Sequence, residues 1–283
     1  MSSFDFFIVL KVLMARPALF QTVRDNLIQG YANKYALHHF AKNLLLEQDW
    51  FNFETEPGVF APIPYYKKRP PASVFYGLSQ GAILGGGYAT LSGPTKLIDR
   101  GVLGVPGASF TFIMSRSSDF TLYDSLLLRN LYNNRQVRIL LALVQMAWDP
   151  TEGAGVLAEP LTEEFPPMLL QGGLGDPVVP TYAAEALTRA FGGAVLPHNP
   201  RTNVIGIPVK TGGSRVTLTE LKYQQDYQKL PLSNELPEHT QVHNCVRQDP
   251  AINAQIEEFF NTGRLIDICE NDGCIREVAH CYD

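Results

Sequence analysis

The pentapeptide Gly77-Leu78-Ser79-Gln80-Gly81 has the residue types and spacing of an activated nucleophile. A serine hydroxyl attacks poorly unless its side chain is lifted clear of the backbone and offered to a base. A sharp turn from strand into helix does this, and glycines two before and two after the serine let strand and helix approach each other. The flanking residues fit such a turn. The apolar run Ala72-Ser73-Val74-Phe75-Tyr76 precedes the motif, and the small-residue stretch Gln80-Gly81-Ala82-Ile83-Leu84-Gly85-Gly86-Gly87 follows it. The residue after the serine opens the helix, so the Gln80 backbone N–H is expected to face a developing oxyanion. The plainer reading of the same residues is a glycine-rich turn whose serine caps a helix.

A nucleophilic serine needs a base, and the base needs a carboxylate to orient it. After an elbow of this kind the chain order is serine, then Asp or Glu, then His. Asp176 lies in Gly172-Gly173-Leu174-Gly175-Asp176-Pro177, directly after the apolar run 166–172. That is the C-terminal end of a strand candidate, where an orienting acid belongs; the plainer reading is a turn aspartate before proline. Of the histidines that follow it, His198, His239 and His243 precede the final helix. His198 comes straight after a short strand candidate, while His239 and His243 lie just before the final helix. Chain order admits all three, and the residues alone leave the choice open. His38 and His39 precede the serine inside a helical pattern and read as structural.

These residues need a scaffold, and the hydrophobic pattern supplies one. Residues 18–47 repeat Leu19, Val23, Leu27, Tyr31 and Tyr35 at helical spacing. Residues 48–71 carry Pro57, Pro62, Pro64, Pro70 and Pro71 and are expected to be irregular. Short continuous apolar runs at 72–76, 101–107, 166–172 and 193–196 read as buried strands, with a further strand at 215–223 inside an irregular insertion, 199–238. Helical patterns at 80–91, 120–148, 181–191 and 250–260 alternate with them. Alternation of this kind predicts an α/β three-layer sandwich with a mostly parallel sheet.

Composition narrows the classes. The chain has 283 residues, 45% hydrophobic and 18% charged, enough for one large domain with a buried core. A net charge of −5 gives no reason to expect nucleic acid or an anionic membrane as partner. No apolar run reaches the ~18–20 residues of a membrane-spanning helix. Residues 6–14 are apolar enough to resemble a signal peptide, but Asp5 precedes them, Lys11 interrupts them and no basic residue leads in; an ordinary buried helix is the expectation. The four cysteines, 245, 269, 274 and 281, all fall near the end. Their spacing lacks the tight pairs of a zinc site. A local Cys269–Cys274 disulfide around Glu270-Asn271-Asp272-Gly273 is expected in an oxidising compartment, and four free thiols in a reducing one.

Over nearly its whole length the chain resembles the C-terminal part of a family of large bacterial α/β-hydrolase-like proteins. The resemblance is carried by Tyr76–Gly86, Gly104-Val105-Pro106-Gly107-Ala108, Ser115-Arg116-Ser117, Leu170-Gln171-Gly172 with Gly175-Asp176, Val242-His243-Asn244-Cys245-Val246-Arg247, and Phe259–Gly263 with Cys269 and Cys274. It implies a serine esterase with Ser79 as nucleophile, Asp176 as orienting acid and His243 as base, and an exported protein with a Cys269–Cys274 disulfide. Its chemistry on a small-molecule ester requires no metal or organic cofactor. The segment 116–150 falls where such proteins insert a lid, and 264–283 forms a cysteine-bearing tail. One departure stands out. The first strands of the sheet and the loop giving the second oxyanion N–H have no counterpart before residue 70, so a half-sheet is expected: either a hydrolase completed by a preceding portion or a partner chain, or a catalytically incomplete remnant that acts as a binding module.

Overall fold

The computed structural model describes residues 19–45, 48, 52–62, 72–121, 132–157, 165–223 and 240–276. The signal-like stretch 6–14, residues 122–131 of the helical pattern, His239 and Cys281 lie outside them.

The core is a parallel sheet. Its strands are β3 (Val74–Leu78), β4 (Arg100–Gly104), β5 (Met168–Gly173), β6 (Ala194–Val195) and β7 (Val216–Tyr223). They lie side by side in the order β3-β4-β5-β7-β6, every neighbouring pair parallel. A last strand, β8 (Ile275–Arg276), adds in parallel to the end of β7. Helices α2 (Gln80–Leu91) and α6 (Thr181–Ala190) cover one face, and α7 (Val242–Gln248) and α8 (Pro250–Thr262) cover the other.

The strand sequences explain the two-sided cover. Side chains alternate across a strand, so a run that is apolar at every position must be buried on both faces. Leu103 and Leu170 enter the α2–α6 core, while their neighbours Val102 and Leu169 enter the α7–α8 core. All four have no exposed surface. Full burial of such a side chain contributes roughly 1.5–3 kcal/mol.

Helix α1 (Phe20–Asn43) lies against the α2 side. The Tyr31 hydroxyl sits between the carbonyls of Leu84 and Thr151, 2.7 and 2.5 Å away. His38 bridges the Tyr88 hydroxyl (2.9 Å) and the Ser73 hydroxyl (2.6 Å), which pins α1 to the entry of β3. Burial and then the neighbouring Lys42 hold this imidazole below its ordinary pKa. His38 therefore holds elements together, as its place in the helical pattern suggested.

Three features depart from expectation. The proline-rich stretch contains an antiparallel hairpin, β1 (Asn52–Glu56) with β2 (Val59–Pro62). Pro57 occupies its turn and Pro62 its end, where no ladder N–H is required, and Gly58 supplies the positive φ of 78°. The strand expected over 101–107 stops at Gly104, because Val105 takes φ 45° and Pro106 follows. Residues 242–248, given no element in the sequence, form α7.

The region between β4 and β5 holds α3 (Phe110–Met114), α4 (Asn134–Trp148) and α5 (Gly153–Val156). A Cβ at Gly153 would come within 3.2 Å of the Gly86 backbone, so α5 meets α2 glycine to glycine. At the other end of the sheet order, β3 has no strand on its outer side among the described residues. Val74 and Tyr76 of β3 remain 41% and 44% exposed.

Candidate active site

Ser79 sits between β3 and α2 with φ 54° and ψ −122°, backbone angles that a residue bearing a side chain rarely adopts. The turn is held from three directions. The Ser79 N–H donates to the Gly104 carbonyl at 2.9 Å, and the Ser79 carbonyl accepts from Ala82 and Ile83 at 2.8 and 3.0 Å. A Cβ at Gly77 would run into the Gly81 carbonyl, so glycine is required there. Gly81 differs from the expectation of crowding on both sides, since space around its own Cβ position is open. Gln80 is the first residue of α2, and the leading N–H groups of a helix have no acceptor within it.

Asp176 follows β5 in a loop fixed by Thr181, whose hydroxyl donates to the Gly173 carbonyl (2.7 Å) and accepts from the Gly175 N–H (3.2 Å). Gly175 takes φ 83° to turn the chain. The Asp176 carboxylate is 1% exposed and fully engaged. Its Oδ1 accepts from the N–H groups of Val178 and Val179, at 2.8 and 3.0 Å. Its Oδ2 accepts from His243 Nδ1 at 2.8 Å.

His243 arrives on α7, which packs on the end of β5. A Cβ at Gly173 would collide with the Val242 and Val246 side chains, so the absent side chain lets the helix settle over Asp176. His243 Nε2 lies 3.0 Å from the Ser79 hydroxyl oxygen. A carboxylate only accepts hydrogen bonds, so Nδ1 carries the proton and the Nε2 lone pair faces the serine hydroxyl. The arrangement can draw the proton from Ser79 as its oxygen attacks, and hold the resulting imidazolium against Asp176.

The structure thus brings together Ser79, Asp176 and His243. It does not bring in His198, which lies after β6 on the far side of β7 and is bonded to Asp267 at 2.9 Å on an exposed surface. The reason is topological. β6 precedes β7 in the chain yet lies outside it in the sheet, which carries His198 away from the serine. Cys269 and Cys274 form a disulfide. Cys245, two residues after His243, is disulfide-bonded as well, so the described cysteines are not free thiols. Among the described residues no group of three or more His, Cys, Asp or Glu side chains is placed to hold a metal ion. None of their helices is long and apolar enough to cross a membrane.

Sequence reasoning missed Glu152, a carboxylic acid with 1% exposure beneath the α3–α4 region. It accepts from the Phe110 N–H and from Gln145 Nε2, both at 2.9 Å. Burial pushes its pKa up to about 7; the Phe110 N–H opposes this and the Asp149 carboxylate adds to it. No local signal marks it, because the groups that hold its carboxyl come from α3 and α4.

The chain matches no protein-family model and no curated protein sequence. The functional reading therefore rests on the geometry of the site.

Proposed function

We propose that this chain is a serine hydrolase acting on carboxylic esters through Ser79, His243 and Asp176. The observation that carries the reading is the unbroken hydrogen-bonded line from Asp176 Oδ2 through the His243 ring to the Ser79 hydroxyl. In this mechanism His243 takes the serine proton as Ser79 Oγ attacks the ester carbonyl, then returns it to the departing alkoxide. Asp176 keeps Nδ1 protonated and stabilises the transient imidazolium. The Gln80 N–H at the start of α2 meets the oxyanion. Water, activated by the same histidine, releases the acyl group.

The α/β-hydrolase architecture is the natural frame for this reading. Its supports are the elbow angles at Ser79, the order Ser79, Asp176, His243 along the chain, and the placement of Ser79 and Asp176 just after the ends of β3 and β5, with His243 on α7 beside them. In that frame the segment 116–150, which includes α4, falls where a lid is inserted. An ester suits the site better than an amide because an alkoxide leaves more readily than an amine. Each oxyanion donor absent costs about 10²–10³ in rate, which favours the less demanding substrate.

One observation favours a second reading. The outer edge of β3 is unpaired among the described residues and exposes Val74 and Tyr76, as expected for a domain that binds a further strand-bearing segment. A fluorophosphonate probe separates the two readings. Labelling of the wild type that is lost in Ser79→Ala supports the hydrolase. A folded protein that takes up no probe sinks it and leaves the binding domain.

A further inference from the structure

Helix α4 has two faces of different chemistry. At 100° per residue, Leu140, Val144, Ala147 and Trp148 point to one side and pack on Val23 and Leu27 of α1. The opposite side, an arc of about 140° by the same helical geometry, carries Arg135, Arg138, Ile139, Ala142, Leu143 and Met146, all exposed. Ile139, Leu143 and Met146 are 53%, 59% and 71% exposed. An outward stripe of large aliphatic side chains is unfavourable in water and marks a contact surface.

The stripe is held in place at both ends. Asn133 and Gln136 form a reciprocal cap at the start of α4. Near its end, Gln145 accepts from the N–H and hydroxyl of Thr111 and donates to Asp149 and Glu152. The outward face is therefore a fixed feature of the fold.

We infer that this face of α4 binds the surface of an anionic lipid bilayer, with the aliphatic stripe in the acyl boundary and the two arginines among the headgroups. Charge points to this occupant: α4 contains two arginines and no acidic residue. Arg135 and Arg138 flank the stripe at one end, and long basic side chains keep their charge at the headgroups while their stems lie on apolar surface. Protein-binding faces are enriched in aromatic residues, and this arc has none. The net charge of −5 opposes long-range attraction to an anionic surface, so the contact depends on short-range interactions. Screening confines exposed charges to about 8 Å at physiological salt, so the two arginines act locally. This inference goes beyond the proposed hydrolysis and does not depend on it.

Flotation of the purified protein with vesicles tests it. Wild type is expected to float with vesicles of phosphatidylglycerol in phosphatidylcholine and to stay behind with phosphatidylcholine alone. Ser79→Ala should bind as wild type does, which separates lipid binding from hydrolysis. Leu143→Glu with Met146→Glu should weaken binding by about tenfold or more, since charges then enter the acyl boundary. Arg135→Ser and Arg138→Ser should each weaken it about fivefold. All four positions are exposed, so unchanged thermal unfolding of the variants shows that the fold is intact. Absence of vesicle binding by the folded wild type overturns the inference, as does binding that the variants leave unchanged. A wild-type dimer that Leu143→Glu with Met146→Glu turns into a monomer, without vesicle binding by either, assigns the stripe to a second copy of the chain and overturns it too.

Discussion

His243 Nε2 stands 3.0 Å from the Ser79 hydroxyl, although 164 residues separate them in the chain. Two close approaches make the contact. Gly77 lets β3 run against the first turn of α2, and Gly173 lets α7 rest on the end of β5. The imidazole and the serine hydroxyl thus meet over the C-terminal edge of one sheet.

If Ser79 and His243 act as a unit, their losses do not add. Ser79→Ala and His243→Ala should each lower kcat on a p-nitrophenyl ester by at least about 10³, and the double variant should be no worse than either alone. Losses that multiply in the double variant would mean that the two residues work separately.

Asp176→Asn tests the orientation of the imidazole. The amide preserves shape, and its oxygen can still accept from Val178 and Val179. Its NH2 would then face His243 Nδ1 and donate, which moves the ring proton to Nε2 and removes the base. A fall in kcat of about 10⁴ with little change in KM is expected. An Asn variant with near wild-type kcat would remove Asp176 from the mechanism.

The two glycines of the elbow should respond in opposite ways. Gly77→Ala forces a Cβ against the Gly81 backbone and should destabilise the fold by about 1–3 kcal/mol in urea unfolding. Gly81→Ala has open space within a helix and should be neutral or stabilising by up to about 1 kcal/mol. Equal losses from both would show that the motif is tight on both sides.

Glu152 makes stability depend on pH. Its folded pKa of about 7 lies above the ordinary carboxylate value of 4.5. Below about pH 4.5 the acid is protonated in both states and contributes nothing. As pH rises through 4.5 to 7 the unfolded chain ionises first, which favours unfolding, and the loss is complete above pH 7. The full size is on the order of 3 kcal/mol. The Glu152 contribution to stability should therefore fall between about pH 4.5 and 7, as measured by urea unfolding. Glu152→Gln should flatten that slope, and a variant with the wild-type slope would place its origin elsewhere.

Much of this molecule was legible in its residues. The alternation of short apolar runs with helical patterns is a local property, and it determined strands β3, β4, β5 and β7 and helices α1, α2, α6 and α8 to within a few residues. Gly77 marked the tight turn into Ser79, because only a residue without a side chain fits against the Gly81 carbonyl there, whereas Gly81 is not required by space. Asp176 was legible from its place after a buried strand. The hairpin β1–β2 was obscured because prolines weigh against a strand in any local reading, while two of them sit where a hairpin tolerates them.

The residues by themselves left the histidine open and the resemblance pointed to His243; the folded chain sets that ring against the serine. His198 and His243 both follow Asp176 in the chain, and only the sheet order, with β6 outside β7, removes the first and leaves the second. Glu152 and the outward face of α4 belong to the same class. Each is defined by what packs around it, Glu152 by Phe110 and Gln145 from two helices and α4 by the side that α1 covers. Local sequence specifies turns and periodicity because those depend on neighbours along the chain; burial and encounter depend on neighbours in space, and only the folded chain supplies those.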